Sequence, residues 1–318
     1  MHQPRRQQTA RPRRVSDAVV VTGASSGIGR ACALELARSG FDVFAGVRKE
    51  EDARALEGVV PGGRLTPLLL DVTDPDLLAS AAKNVEEAVG GHGLAGLVNN
   101  AGVGITGPLE LLDPDELRRQ FEVNVFGQLA VTQAFLPLIR AAGGRIVNVG
   151  SVGGWITLPF GGPLCASKHA LRSLNDALRM ELHPWGIHVS LIEPGAIATR
   201  AVDKLEADAE AAIGGFSALG RSRYAEAFES MTALAVAHER AGSPPEVVAE
   251  AVLRALTTKK PKTRYPVGNG SRLQSTLARA LPDRLLDRAR FRAFGLARTF
   301  GARRTEDVPP IQATRSTR

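Results

Sequence analysis

Thr22-Gly23-Ala24-Ser25-Ser26-Gly27-Ile28-Gly29 is the stretch of this chain whose residue types and spacing best suit chemistry. Its glycines fall as GxxxGxG, directly after an apolar run at 19–21 and before a helical pattern. Glycine lets the backbone turn tightly and approach an anion, and the opening turn of a helix presents unpaired N–H groups. A pyrophosphate suits such a turn. Glycines alone are a weak signal, and the place after a first strand strengthens it. Farther on, Ser151 and Lys168 stand in the frame S-x12-Leu164-x3-Lys168, where leucine offers neither a donor nor an acceptor. Cys32 and Cys165 form no CxxC, and His92, His169, His183 and His188 form no HExxH or H-x-x-H. No metal site is expected, and a reduced cytosol fits two unpaired cysteines.

Elements must hold these residues in place. Short unbroken apolar runs at 19–21, 43–47, 65–70, 94–98, 145–149 and 187–192 predict buried strands, with a last strand at 263–267. Helical patterns at 28–39, 75–89, 114–140 and 164–185 alternate with them. That alternation predicts an α/β fold with a doubly wound parallel sheet. Residues 200–242 break the rhythm with Leu205, Phe216, Leu219, Tyr224, Phe228 and Met231, and read as a lid with Gly214, Gly215 and Gly220 as hinges. A helix at 244–256 follows, with Ser243 as its cap. Residues 281–300 place Leu281, Leu285, Ala289, Ala293, Leu296 and Phe300 on one helical stripe, expected to pack on the domain or a partner. The organisation expected is a basic tail at 1–14, one domain at 15–270, and a basic helical extension at 271–318.

A content of 44% apolar and 23% charged residues is that of a soluble globular chain. No apolar run approaches the ~20 residues of a membrane helix, and no signal segment follows the first arginines, so a cytoplasmic location is expected. The excess positive charge sits at the ends. Five arginines and no acid lie in 1–14, and eleven arginines face Asp283, Asp287, Glu306 and Asp307 in 272–318. The body between them is net acidic, which argues against a nucleic-acid-binding core. The basic ends suit solvated tails, or weak contact with an anionic membrane surface.

Several ordered motifs together resemble the short-chain dehydrogenase/reductase family over roughly residues 16–270. These are the glycine turn, Asp71-Val72, Asn99-Asn100-Ala101-Gly102, Asn124-Val125-Phe126-Gly127, Ser151 with Lys168, and Pro194-Gly195 with Thr199. The resemblance implies a Rossmann-like sheet in which Thr22, Gly23, Ser25, Ser26, Gly27, Ile28 and Gly29 hold the dinucleotide phosphates. It further implies that Asp71 and Val72 meet the adenine, that Asn99, Ala101 and Gly102 shape the cleft, and that Pro194, Gly195 and Thr199 reach the nicotinamide end. Lys168 would bind the ribose, Ser151 the substrate oxygen, and Asn124 a proton-relay water. The family's proton donor is a tyrosine four residues before the lysine. Here that residue is Leu164, and Tyr224 and Tyr265 are the chain's two tyrosines.

At the end of the second strand, an acid would bond a ribose 2′-hydroxyl and repel a 2′-phosphate. Val47 and Arg48 stand there, and a guanidinium suits phosphate, so NADP(H) is favoured with NAD(H) left open. Glu50, Glu51 and Asp52 weigh on the other side. Three functions remain open: a reductase with altered proton transfer, a silent NADP(H)-binding sensor or subunit, and an enzyme that takes its proton from water, substrate or Tyr224. Cys165 and His169 are turned away from residue 164 by helical spacing and replace nothing. Trp155, Ile156, Leu158 and Phe160 suit a pocket for a lipophilic substrate, as in the family's steroid and retinol branch. Helices 114–140 and 164–185 match those through which members form homo-oligomers.

Overall fold

The computed structural model describes residues 16–60 and 62–296, so the tail expected at 1–14 and Phe300 of the expected stripe lie outside the described residues. In chain order the elements are β1 (Ala18–Val21), α1 (Gly27–Arg38), β2 (Asp42–Val47), α2 (Glu50–Arg54), β3 (Leu65–Leu69), α3 (Pro75–Val89) and β4 (Gly96–Asn99). There follow α4 (Pro114–Phe121), α5 (Gly127–Ala142), β5 (Arg145–Val149), α6 (Gly162–Glu181) and β6 (His188–Pro194). The chain continues through α7 (Ala201–Gly215), α8 (Ala218–Arg240), α9 (Glu246–Thr257), β7 (Arg264–Val267), α10 (Ser271–Ala280) and α11 (Asp283–Ala293).

All seven strands pair in parallel in the order β3-β2-β1-β4-β5-β6-β7. The order reverses beside β1, because the chain steps outward on one side and then returns to β1's other edge with β4. Successive strand residues point to opposite faces, so Val19 and Val21 join one apolar layer with Cys32, Leu36, Val252 and Leu256. Val20 joins the other, with Leu78, Val85, Val131, Phe135 and Ile139. Both faces are covered, and for that reason the strands read as continuous apolar runs rather than alternating ones.

The helix expected across 114–140 is divided by a π turn, Glu122–Phe126, between α4 and α5. Counted through that turn, Pro114–Ala142 is 29 residues and apolar enough by length and composition to cross a membrane. Val131, Phe135, Leu138 and Ile139 are nevertheless buried against the sheet, as in a core helix. Ser243 does not cap α9; its hydroxyl pairs with Asn269, and Pro245 precedes the helix. The lid is two helices, α7 and α8, with a cluster of its own around Phe228, Met231, Ile213 and Leu296. Gly220 is no hinge there. A Cβ on it would lie 2.8 Å from Leu111, so it is small to admit that leucine.

Candidate active site

The turn after β1 is fixed before any ligand arrives. Thr22, fully buried, accepts hydrogen bonds at its hydroxyl from Asn100 N (2.9 Å) and Ala101 N (3.0 Å). The Asn100 amide donates back to Thr22 O (3.0 Å) and Gly23 O (3.2 Å). The end of β1 is thus laced to the end of β4. Gly23 and Gly27 have φ of +67° and +52°, the region glycine enters without cost. A Cβ on Gly29 would lie 2.1 Å from Gly23 O and 2.4 Å from the Asn100 amide nitrogen.

Helix α1 opens at Gly27 with no side-chain cap from Ser26 and no acid in its first turn. Its leading N–H groups and positive dipole end are left for an anion. Thr199, on the segment after β6, reaches this turn: a Cβ on Gly27 would sit 3.4 Å from its side chain. The cradle therefore fits a dinucleotide diphosphate, shaped by backbone alone where side chains would fill it.

Arg48 is exposed at the tip of β2 beside buried Val47, and makes no ion pair among the described residues. Glu50 is turned to Arg54 instead, at 3.2 Å. Asp71 accepts from the backbone and hydroxyl of Thr73 (2.9 and 2.7 Å), shaping its own turn, and a Cβ on Gly127 would meet Val72 Cγ2 at 2.7 Å. The ends of β1, β2, β3, β4 and β6 thereby bring the proposed cofactor residues to one edge of the sheet. Asn99 is the exception. Its amide is buried between layers, donating to Thr132 Oγ1 and Asn148 Oδ1 at 2.9 Å each, so its side chain does not face the cleft.

Ser151 ends the extension of β5 and accepts from Gly153 N (2.9 Å), which leaves its own O–H free to donate. Lys168, two turns into α6, donates to Val149 O at 3.1 Å, so it lies beside the same strand end. Burial pulls its ammonium down from 10.5 to about 8. The side chain of Leu164 faces the loop after β4; a Cβ on Gly104 would lie 3.8 Å from its tip. Cys165 is buried with its thiol pushed up by desolvation, and His169 is engaged with Cys165 O at 2.9 Å. Neither is offered as an acid.

Asn124, in the π turn, has both amide hydrogens committed, to Val103 O (2.9 Å) and Ser167 Oγ (3.1 Å), while its oxygen accepts from Val103 N (2.8 Å). This side chain fastens the loop over the site. Gln120, one turn earlier, does the same to Ile105 N and Val103 O at 2.7 Å each. Sequence reasoning missed Gln120, Ser167 and Asn100. Gln120 is wholly buried four positions before Asn124, and that burial comes from tertiary packing rather than from local spacing.

Trp155 is held by polar partners. Its indole donates to Glu193 at 2.6 Å, and Arg172 and Arg264 lie over its ring at 3.8 and 5.1 Å. Phe160 is the aromatic that faces the lid, 5.4 Å from Phe228 and 6.4 Å from Tyr224. Tyr224 donates its hydroxyl to Glu110, and that hydrogen bond raises the phenol above its ordinary value. That makes it a weaker acid than a free tyrosine.

A family profile described as short chain dehydrogenase matches residues 17–210. The chain is 38% identical over 274 residues to the NADPH-dependent 3-dehydrocapnine reductase of Ornithobacterium rhinotracheale, covering 85% of this chain and 94% of that one. It is 40% identical over 280 residues to retinol dehydrogenase 5 of Mus musculus, covering 86% and 87%. Among solved structures, a short-chain dehydrogenase from Streptomyces avermitilis superposes with a TM-score of 0.69 at 30% identity, over 88% of this chain and 97% of that one. A short chain dehydrogenase from Burkholderia cenocepacia in complex with NADP gives 0.65 at 28%, over 87% and 98%.

Proposed function

The chain belongs to the short-chain dehydrogenase/reductase family, and from that premise we propose an NADP(H)-dependent oxidoreductase acting on a lipophilic alcohol, ketone or aldehyde, with proton delivery altered at residue 164. The observation that carries it is the glycine cradle at α1, with Ser151 and Lys168 gathered at the same edge of the sheet. Gly23 to Gly29 would hold the diphosphate, Asp71 and Val72 the adenine end, Lys168 the nicotinamide ribose, and Pro194, Gly195 and Thr199 the nicotinamide end. Exposed Arg48, with no carboxylate paired to it, favours a 2′-phosphate. An NADPH-dependent relative and an NADP-bound neighbour support the same choice.

When bound, the nicotinamide supplies or accepts the hydride. Ser151 donates its free O–H to the substrate oxygen and polarises the carbonyl. Lys168 positions the ribose and holds positive charge near that oxygen. Leu164 stands where the family's tyrosine would give the proton, and a leucine moves none, so the proton comes from solvent or substrate. Phe160, backed by Phe228, and exposed Leu109 give the lid side an apolar wall, which favours a lipophilic substrate, and the retinol dehydrogenase relative supports that class. A homo-oligomer joined through the π turn, α5 and the outer face of α6, where Phe126 and Met180 are exposed, and a cytoplasmic location complete the reading.

Calorimetric titration with NADPH and NADH, followed by assays on a panel of apolar ketones and aldehydes, tests it. NADPH should bind more tightly, and Arg48→Ala should weaken NADPH about tenfold or more while sparing NADH. Slow native turnover should rise by ~10²–10⁴ in Leu164→Tyr. Uptake of neither dinucleotide would overturn the reading. Tight binding with turnover in the tyrosine variant alone would make the natural chain a silent binder.

A further inference from the structure

Of the apolar stripe foreseen near the C-terminus, Leu296 packs into the lid cluster and Phe300 lies outside the described residues, while the other four members face outward. Leu285, Ala289 and Ala293 recur every fourth residue through α11 and are exposed, Leu285 by 47%, and Leu281, at the extended end of α10, is exposed by 38%. On α10, a separate helix, Leu273 and Leu277 lie one turn apart and are exposed by 64% and 38%. Helix α11 holds to the body by its other side: Leu286 is buried, and Phe291 and Phe294 pack into the lid cluster with Phe228 and Leu296. The stripe is thus surplus to the fold.

Charge says what covers it. Arg284, Arg288 and Arg292 also recur every fourth residue, each just before a stripe position, and are exposed with no ion pair among the described residues. Arg272 stands likewise on α10. Asp283 and Asp287 are the acids of 271–293, and Asp287 is taken by Arg290 at 3.2 Å. Leucines flanked by rows of unpaired arginines form the two-part surface of a helix that lies in a bilayer interface, its side chains in the acyl boundary and its guanidinium groups among anionic headgroups. A solvated helix has no use for the leucines, and a neutral apolar partner has none for the arginines.

We propose that α10 and α11 dock this protein on an anionic lipid surface. The docking face lies one helix layer from Phe228 and the lid, so a molecule dissolved in the bilayer would enter the site beside it. Docking itself does not depend on which substrate is turned over.

The full chain is mixed with vesicles of phosphatidylcholine, with and without 30% phosphatidylglycerol, and sedimented. Binding is expected to the anionic vesicles alone, weakening as salt shortens the screening length. Arg284→Gln, Arg288→Gln and Arg292→Gln should each cost about fivefold. The arginine-rich ends beyond the described residues carry charge of their own, so the deciding variant keeps every charge: Leu273→Ser with Leu277→Ser and Leu285→Ser. These side chains are exposed, and circular dichroism should be unchanged. Loss of vesicle binding in that variant supports the docking face. Unchanged binding overturns it, as does no binding by the natural chain. A fall in solution mass in that variant, without vesicle binding by either protein, would overturn it in favour of a second copy of the chain.

Discussion

Lys168 carries a charge that the fold holds at a cost. Its side chain is desolvated between α6 and the end of β5, and burial brings its ammonium down to about 8. The unfolded chain, with an ordinary lysine value near 10.4, holds the proton longer as pH rises. Between pH 8 and about 10.4 the unfolded state therefore binds more protons than the folded one, and stability contributed by this residue rises with pH. Below pH 8 both states are protonated and the full penalty, on the order of 3 kcal/mol, is present. Denaturant titrations at pH 7 and pH 10 check this in native protein and in Lys168→Met, which cannot titrate. The gap between the two should narrow at pH 10; a constant gap would mean that the ammonium is solvated. The same residue makes a second expectation. Once the ribose lies against it, deprotonation removes a charge-assisted donor, so NADPH affinity should fall as pH passes 8.

At the scale of elements, the cradle and the loop above it follow different physics. Gly29→Ala puts a methyl 2.1 Å from a carbonyl oxygen held by Asn100, and backbone that is laced to β4 cannot yield cheaply. Thermal unfolding should show a loss of about 1–3 kcal/mol, and NADPH binding should disappear. Gly214→Ala, in α7 with nothing near its Cβ, should instead be neutral or stabilise by up to ~1 kcal/mol, which separates the cradle's effect from the general effect of alanine in a helix. Over the cradle, Ser167→Ala removes the acceptor for both Asn124 and Gln120. Stability should fall by about 1–3 kcal/mol from donors left buried, with turnover falling further as the loop of Val103 and Ile105 loosens.

The cradle was legible from sequence because its glycines are forced by local geometry, and local geometry is written in adjacent residues. The sheet was legible because burial on both faces leaves unbroken apolar runs. The loop clamp was not. Ser167 lies 43 residues from Asn124 and 47 from Gln120, across α6, the π turn and α4, and a π turn has no spacing signature that an α pattern lacks. The inward turn of Asn99 was hidden for a related reason: the same dipeptide supplies one side chain to the turn and one to the interior, and alternation along the strand assigns Asn100 to the turn. The polar partners of Trp155 were hidden too, because the carboxylate and guanidinium groups that claim it come from β6, α6 and β7.

For the molecule as a whole, the two sheet-bound apolar layers and the lid cluster are separate bodies of packing, so they need not open together. The lid is held down by few bonds. Glu239 at the end of α8 accepts from Ile197 N at 3.0 Å, on the segment that carries Thr199 toward the cradle. Glu110, on the loop after β4, takes Arg223 at 2.8 Å and the hydroxyl of Tyr224. Burial raises the Glu239 carboxyl above its ordinary value, so holding it ionised at neutral pH costs some stability, and what the lid needs from it is an acceptor oxygen rather than a charge. Hydrogen exchange followed by mass spectrometry should find α7 and α8 opening faster than β1, β4, β5 and β6. Glu239→Ala, which leaves Ile197 N unpaired, should speed exchange across 201–240 by about ten- to a hundredfold and leave the sheet untouched. Glu239→Gln keeps an oxygen for Ile197 and drops the buried charge, so its lid should exchange at the native rate or slower at pH 7. If both variants loosened the lid equally, the ionised carboxylate itself would be the fastening; if sheet and lid quickened together, the lid would not be a separate body at all.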